Sequence, residues 1–243
     1  MRLSTVLGVK KTASASARLV TLGVILFGLL SLGFGVVTFY GLSTGTFVIE
    51  MADVPEKRGI QIAESNFTDD EKWTTRLNAF PVDFENDNNL KMEDATYSYL
   101  RIEDATNTDG SFFDPKSDYM AYTFYLKNSG NEMVDLVYSI NILDVLKELD
   151  EYIRVMIIVD DLEGNVTQNL YMKPDDEVKY YPPEYPVAKH FISDELVANE
   201  TIQMLQVGQV RKITIFMWIE GYDTNPSSER GSIKLDMIFD VLG

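Results

Sequence analysis

The chain reads as an all-β, antiparallel sandwich preceded by one N-terminal transmembrane helix, and three observations carry that reading. Residues 19–42 form an uninterrupted run without a charge, and a spanning helix needs roughly 20 mostly apolar residues. The remainder is rich in short segments of period-two hydrophobicity, the pattern of half-buried strands. Turns containing Asn, Gly and Pro separate them, where an α/β fold would place long amphipathic helices.

Arg2, Lys10, Lys11 and Arg18 precede the apolar run, and the first 45 residues hold no acid. The positive-inside bias therefore keeps residues 1–18 in the cytoplasm as a basic leader. Residues 19–42 are the membrane segment, and residues 46–243 form an extracellular domain at the cell membrane. The run is longer than the roughly 7–15 apolar residues of a secretory signal, which favours a retained anchor. Ser43-Thr44-Gly45 nevertheless supplies small residues suited to a protease, so secretion after cleavage near Gly45 is the alternative.

The net charge of −17 combines 38 acids with 21 bases, four of which sit in the leader. Nucleic acid and anionic lipid both call for a cationic surface, so this balance argues against them as main partners. The chain has no cysteine, which excludes thiol catalysis, thiolate metal sites and disulfide redox chemistry. About 200 residues beyond the membrane segment suffice for a full core without disulfides.

Element by element, residues 46–51 (TFVIEM) begin the domain as a short strand. Residues 52–93 carry loop composition, with Trp73 and Phe80 as apolar pins, and Tyr97 to Ile102 resumes as a strand. Tyr119 to Lys127 alternates Met120, Tyr122, Phe124 and Leu126 on one face. Asn128-Ser129-Gly130-Asn131 is turn chemistry, leading into a strand over 134–142 as either a hairpin or a sheet-crossing loop. Apolar positions 145, 146, 149 and 152 suit two helical turns. The run 153–159 (IRVMIIV) is of buried-strand type, and 161–165 turns the chain into its partner strand 166–172. Four prolines between 174 and 186 exclude a central strand there. Residues 194–205 fit a short helix or an irregular strand, and 211–220 and 232–241 are two further strands.

Three passages together resemble a known family. Tyr122 to Gly130 (YTFYLKNSG) followed by a valine-rich strand is similar to the core of the TasA/camelysin-like exported proteins of Gram-positive surfaces and biofilm matrix. Leu205-Gln206-Val207-Gly208-Gln209 resembles an entry turn of extracellular sandwich domains, with Val207 where proline is frequent. Ile215 to Gly221 (IFMWIEG) looks like a stretch of related membrane-anchored proteins. The resemblance implies a sandwich of the jelly-roll or immunoglobulin-like class and a structural or surface role without a catalytic site. The anchor departs from the cleaved, fibre-forming members.

Catalytic constellations are sparse. His190 is the sole histidine and has no Gly-x-Ser-x-Gly elbow near it. A hydrolase using paired carboxylates is the third-ranked reading. Asn107-Thr108-Asp109-Gly110 imitates an EF-hand loop, but Ala105 and Lys116 fall where the first and last ligands belong. A rim site for Ca²⁺ drawing on Asp104, Asp109, Asp114 and Asp118 is the remaining metal option. Tyr180, Tyr181 and Tyr185 among the prolines suit either an exposed recognition loop or a strap closing one end of the sandwich. The expected function is that of a non-catalytic surface or matrix protein held to the membrane by its N-terminal helix. Self-association, or pairing with other surface proteins, would run through a strand edge formed by Thr46, Phe47, Val48, Ile49, Glu50 and Met51. The alternative is a monomeric extracellular module that binds Ca²⁺ or cell-wall glycan.

Overall fold

The computed structural model describes residues 47–69, 72–79, 95–116, 119–174, 181–221 and 232–242. The leader, the apolar run 19–42, Thr46 and Phe80 lie outside the described residues. Among those described, no helix is long and apolar enough to cross a membrane.

The described residues contain twelve strands. In chain order they are β1 (Phe47–Met51), β2 (Ile60–Ala63), β3 (Arg76–Ala79), β4 (Gly110–Phe112), β5 (Met120–Asn128) and β6 (Val134–Leu146). There follow β7 (Ile153–Asp160), β8 (Val166–Met172), β9 (Ala188–His190), β10 (Leu196–Leu205), β11 (Val210–Ile219) and β12 (Ser232–Val241). Two one-turn helices, α1 (Asp53–Lys57) and α2 (Ile102–Thr106), accompany them.

The strands make two sheets. One has the order β10-β6-β12-β1-β3, and the other β2-β5-β11-β7-β8-β9 with β4 also on β5. From β5 onward the chain changes sheet at every connection except β8–β9 and the β7–β8 hairpin. That hairpin closes through Asp161, whose carboxylate accepts the backbone N–H groups of Glu163 and Asn165 and the Asn165 amide. The sheets are mixed rather than purely antiparallel, because β1 runs parallel to β12 and β9 parallel to β8.

Alternation builds the core between the sheets. Phe47, Ile49 and Met51 of β1, Leu136, Tyr138 and Ile140 of β6, and Leu235, Met237 and Phe239 of β12 point inward. They meet Tyr122, Phe124 and Leu126 of β5 and Ile213, Ile215 and Met217 of β11. Phe124 meets Phe239 edge-on across the layer at 6.1 Å between ring centroids. Each large side chain so buried contributes about 1.5–3 kcal/mol.

The seven-stranded sheet is buried on its other face too. Ala121, Met156, Ile158, Leu170, Phe216 and Trp218 point outward there and form a second core beneath Ala95, Leu100 and Ala105. This explains the continuous apolar run in β7, where alternation is absent because both faces are dry. The cover also accounts for Tyr97 to Ile102, which is a 3-10 turn (Tyr97–Tyr99) leading to α2 and not a strand. A segment crossing over a sheet face finds no ladder to join.

Two other expectations change. β6 continues to Leu146, and only one 3-10 turn (Leu149–Glu151) follows, because Lys147 and Glu148 take positive φ and break a helix. Residues 196–205 are a strand, since pairing with β6 buries Val197, Ile202 and Leu205.

The Asn128-Ser129-Gly130 turn is the sheet-crossing loop. Asn128 is fully buried; its amide donates to the carbonyls of Glu132 and Leu205 and accepts from the Gly130 N–H. Its backbone binds Gln209 and Gly208, while Ser129 donates to Gly59. A Cβ on Gly130 would lie 2.0 Å from the Arg58 carbonyl oxygen, so no other residue fits. The stretch that carries the family resemblance thus clamps three loops at one corner.

Candidate functional site

Arg154 of β7 and Glu220, just past β11, are both fully buried on the outer face of the seven-stranded sheet. Ionised groups without water need partners, and the proline segment supplies them. Arg154 Nη2 donates to the Tyr181 hydroxyl at 2.8 Å, and Nη1 to the Ile153 carbonyl at 3.1 Å. The Glu220 carboxylate accepts from the Tyr185 hydroxyl at 2.6 Å and from the Trp218 indole N–H at 2.9 Å. Burial, then the Glu220 charge, pushes the Tyr185 phenol well above its usual range.

The Tyr181 and Tyr185 rings stack at 4.4 Å. Tyr97 tilts against Tyr185 at 5.9 Å and receives a hydrogen bond from the Gln168 amide at 3.2 Å. Tyr99 stands 59% exposed and Val187 96% exposed beside these segments in sequence. Pro182, Pro183 and Pro186 restrict φ along the strap. It is therefore a strap, as the proline spacing allows, and one whose tyrosines keep part of their rings at the surface. Tyr180 lies outside the described residues.

The strap runs into β9, where a second cluster ties the sheets together. Tyr171 of β8 and Lys189 of β9 both bond Glu200 of β10. Burial raises Glu200, but the Lys189 ammonium and the Tyr171 hydroxyl outweigh it and hold the carboxyl below its usual range. His190 is exposed at the end of β9.

The aspartates expected at a rim are spent on protein partners. Asp104 pairs with Arg101 at 2.7 Å, Asp109 accepts from Ser65 and Tyr125, and Asp114 accepts from Tyr119 and the Lys116 N–H. Asp118 lies outside the described residues. Among those described, no three His, Cys, Asp or Glu residues are grouped to hold a metal ion. The segment expected to offer an edge is an inner strand. Phe47, Val48, Ile49, Glu50 and Met51 are taken on one side by β3 and on the other by β12. The reason is local: three inward apolar residues in five make β1 worth burying within its own sheet.

Sequence reasoning missed Arg154 and Glu220. The available signal was a single arginine in the otherwise apolar run 153–159. An ion there must have a buried counterpart.

No family model matches the chain, and no curated protein does. Among solved structures, the chain is similar to TmCBM61 in complex with β-1,4-galactotriose, with a TM-score of 0.25 and 14% identity over 51% of this chain and 69% of that one. An overlap of that extent bears on neither ligand nor function.

Proposed function

We propose that this is an exported, membrane-tethered and non-catalytic β-sandwich that binds a neutral cell-surface glycan on the tyrosine strap. One observation carries the reading: the partly exposed Tyr97, Tyr181 and Tyr185 converge from two segments onto one sheet face, with Tyr181 fixed from beneath by Arg154, Tyr185 by Glu220 and Tyr97 held by Gln168 and the Tyr185 ring. Tyrosines give wide contact area at low entropic cost, and their ring faces suit the C–H faces of a sugar while hydroxyls and the Gln168 amide serve its polar edge. A strap anchored before the ligand arrives loses little entropy on binding. The acidic balance of the chain favours a neutral glycan over an anionic one.

The order of strands supports the jelly-roll class, since eight of them fall into β10-β6-β12-β1 facing β5-β11-β7-β8 with repeated crossings between sheets. Edge-driven assembly has less to work with. β3, β4 and β9 are three or four residues long, and the long edge strand β10 has two irregularities in its register. Short and bulged edges resist adding strands.

The test is affinity electrophoresis and tyrosine fluorescence of the intact chain against a panel of neutral and anionic polysaccharides. Retention by a neutral polysaccharide, weakened at least about tenfold by Tyr181→Ala, matches loss of a hot-spot aromatic. Retardation by none of the panel, or retention unchanged in Tyr181→Ala and Tyr97→Ala, ends the proposal.

A further inference from the structure

We infer that the glycan is an extended neutral chain bound along its length, with a second subsite at Lys212, Asp160 and Val166 beyond the tyrosine strap. The inference rests on the glycan reading proposed above and adds where the sugar chain runs once it leaves the tyrosines. It begins from strand register. Directly opposed ladder partners point to the same face of a sheet. On the outer face of the seven-stranded sheet, Thr123, Thr214, Ile158 and Gln168 therefore form one row across β5, β11, β7 and β8. Tyr125, Lys212, Asp160 and Val166 form the next row.

The first of these rows lies under cover. Ala105 sits over it, its carbonyl accepting the Thr123 hydroxyl at 2.9 Å, and Thr123 meets Thr214 at 2.8 Å. The second row stands at the margin of that cover. The Lys212 ammonium and the Asp160 carboxylate are 3.5 Å apart, with side chains 17% and 22% exposed, and Val166 is 60% exposed. Gln168 links this row to the strap. Its amide donates to the Tyr97 hydroxyl, and Val166 follows on the same face of β8 two residues away, or about 7 Å. Leu170, the ladder partner of Ala188 at the end of the strap, is roughly 14 Å from Val166. One sugar ring is too short to touch both ends of that span, whereas a chain of several rings reaches across it.

The chemistry of the second row suits a neutral polyol. An ionised carboxylate only accepts hydrogen bonds and an ammonium only donates them. Neighbouring hydroxyls of one sugar thus find an acceptor in Asp160 and a donor in Lys212, and both bonds are charge-assisted. The pair sums to zero charge, so an anionic sugar gains no net attraction there. Both polar groups are held in place. Asp160 Oδ1 accepts the Leu162 N–H at 2.8 Å while Oδ2 faces Lys212. Beside Lys212, the Tyr125 hydroxyl donates to Asp109 at 2.9 Å. Val166 supplies apolar surface for the carbon face of the ring, and a few fixed polar groups beside apolar surface are the usual make-up of a ligand site.

The test is calorimetric titration of the intact chain with cello-, N-acetylchito-, manno- and galacto-oligosaccharides, from disaccharide to hexasaccharide. In a series that binds, affinity is expected to rise at least about tenfold with length. Val166→Ser and Lys212→Met should each bring the hexasaccharide down toward the affinity of the disaccharide. Val166→Ser changes only the surface and leaves the core intact. Affinity independent of length, or a length gain kept in full by both variants, overturns the second subsite; loss of binding in Tyr181→Ala then leaves the strap reading standing. Binding by none of the series, or binding unchanged in Tyr181→Ala, overturns the strap reading and this inference with it.

Discussion

In the seven-stranded sheet, β7 is buried at every position from 153 to 158, whereas β12 in the five-stranded sheet sends Leu235, Met237 and Phe239 inward and leaves Asp236, Ile238 and Asp240 outward. Both strands lie inside their sheets with partners on either side. The difference lies in what covers them. The segment from Ala95 to Ala105 and the proline strap close the outer face of one sheet, and no described element closes the other. Burial on two faces gives the first sheet room for an internal ion network, and burial on one leaves the second a polar exterior such as the Asn141–Asp236 hydrogen bond at 2.8 Å. Binary pattern along a strand therefore reports the number of layers around it as much as its identity as a strand.

The contrast breaks most sharply at outward-facing positions. Trp218→Ala removes the largest side chain of the outer core and is expected to cost about 3–5 kcal/mol. Ile238→Ala, facing outward from the other sheet, should cost under about 1 kcal/mol. Urea unfolding of the two variants measures both, and equal costs would mean the two outer faces are alike. Next in size is Glu220→Leu, which strands the Trp218 and Tyr185 donors under the strap. At about 1–3 kcal/mol for each of the two buried donors left unsatisfied, roughly 2–6 kcal/mol is expected, and strap cleavage by protease should quicken in the folded protein.

A pH profile sharpens the picture of the dry layers. Burial, first of all, holds the phenols of Tyr119, Tyr122, Tyr138, Tyr171 and Tyr185 above their usual range. Tyr125, nearer the surface, is pushed up to about 12. The unfolded chain releases these protons near pH 10 while the folded one retains them, so this stability is complete below pH 10 and is lost as pH rises beyond it. Tyrosinate absorbance should appear cooperatively with unfolding; a simple titration of all tyrosines near pH 10 in the folded state would contradict their burial. The smallest effect belongs to the open face, where Asn141→Ala forfeits one partly exposed hydrogen bond and about 0.5–1.5 kcal/mol. Thermal melting resolves it.

Much of the sandwich was legible in the chain because alternation reports burial directly. Residues 166–172 and 232–241 are strands with the bounds that their pattern suggests. The misreadings occurred where a third party decides. Tyr97 to Ile102 has strand composition, but a covering segment takes its shape from the face below. Residues 145–152 have helical spacing, but Lys147 and Glu148 in the left-handed region divide them. The strap could be anticipated from its prolines, while its anchors could not, since Arg154 and Glu220 stand 66 residues apart and nothing local links them. The Asn-Ser-Gly turn was visible as a turn; its role as a clamp depends on Gly59 and on residues 205–209, distant in sequence.

The pairing of β1 with β12 sets an order of events during biosynthesis. A ribosome delivers Phe47–Met51 long before Ser232–Val241, yet these two are neighbours, and β6 also waits for β12. Until residues 232–241 have been made, the five-stranded sheet lacks its middle member, and its hydrophobic inner surface has no closed state to reach. Closure of that sheet therefore follows synthesis of residues 232–241, a long-range pairing of the kind that forms slowly and leaves apolar surface open in the meantime.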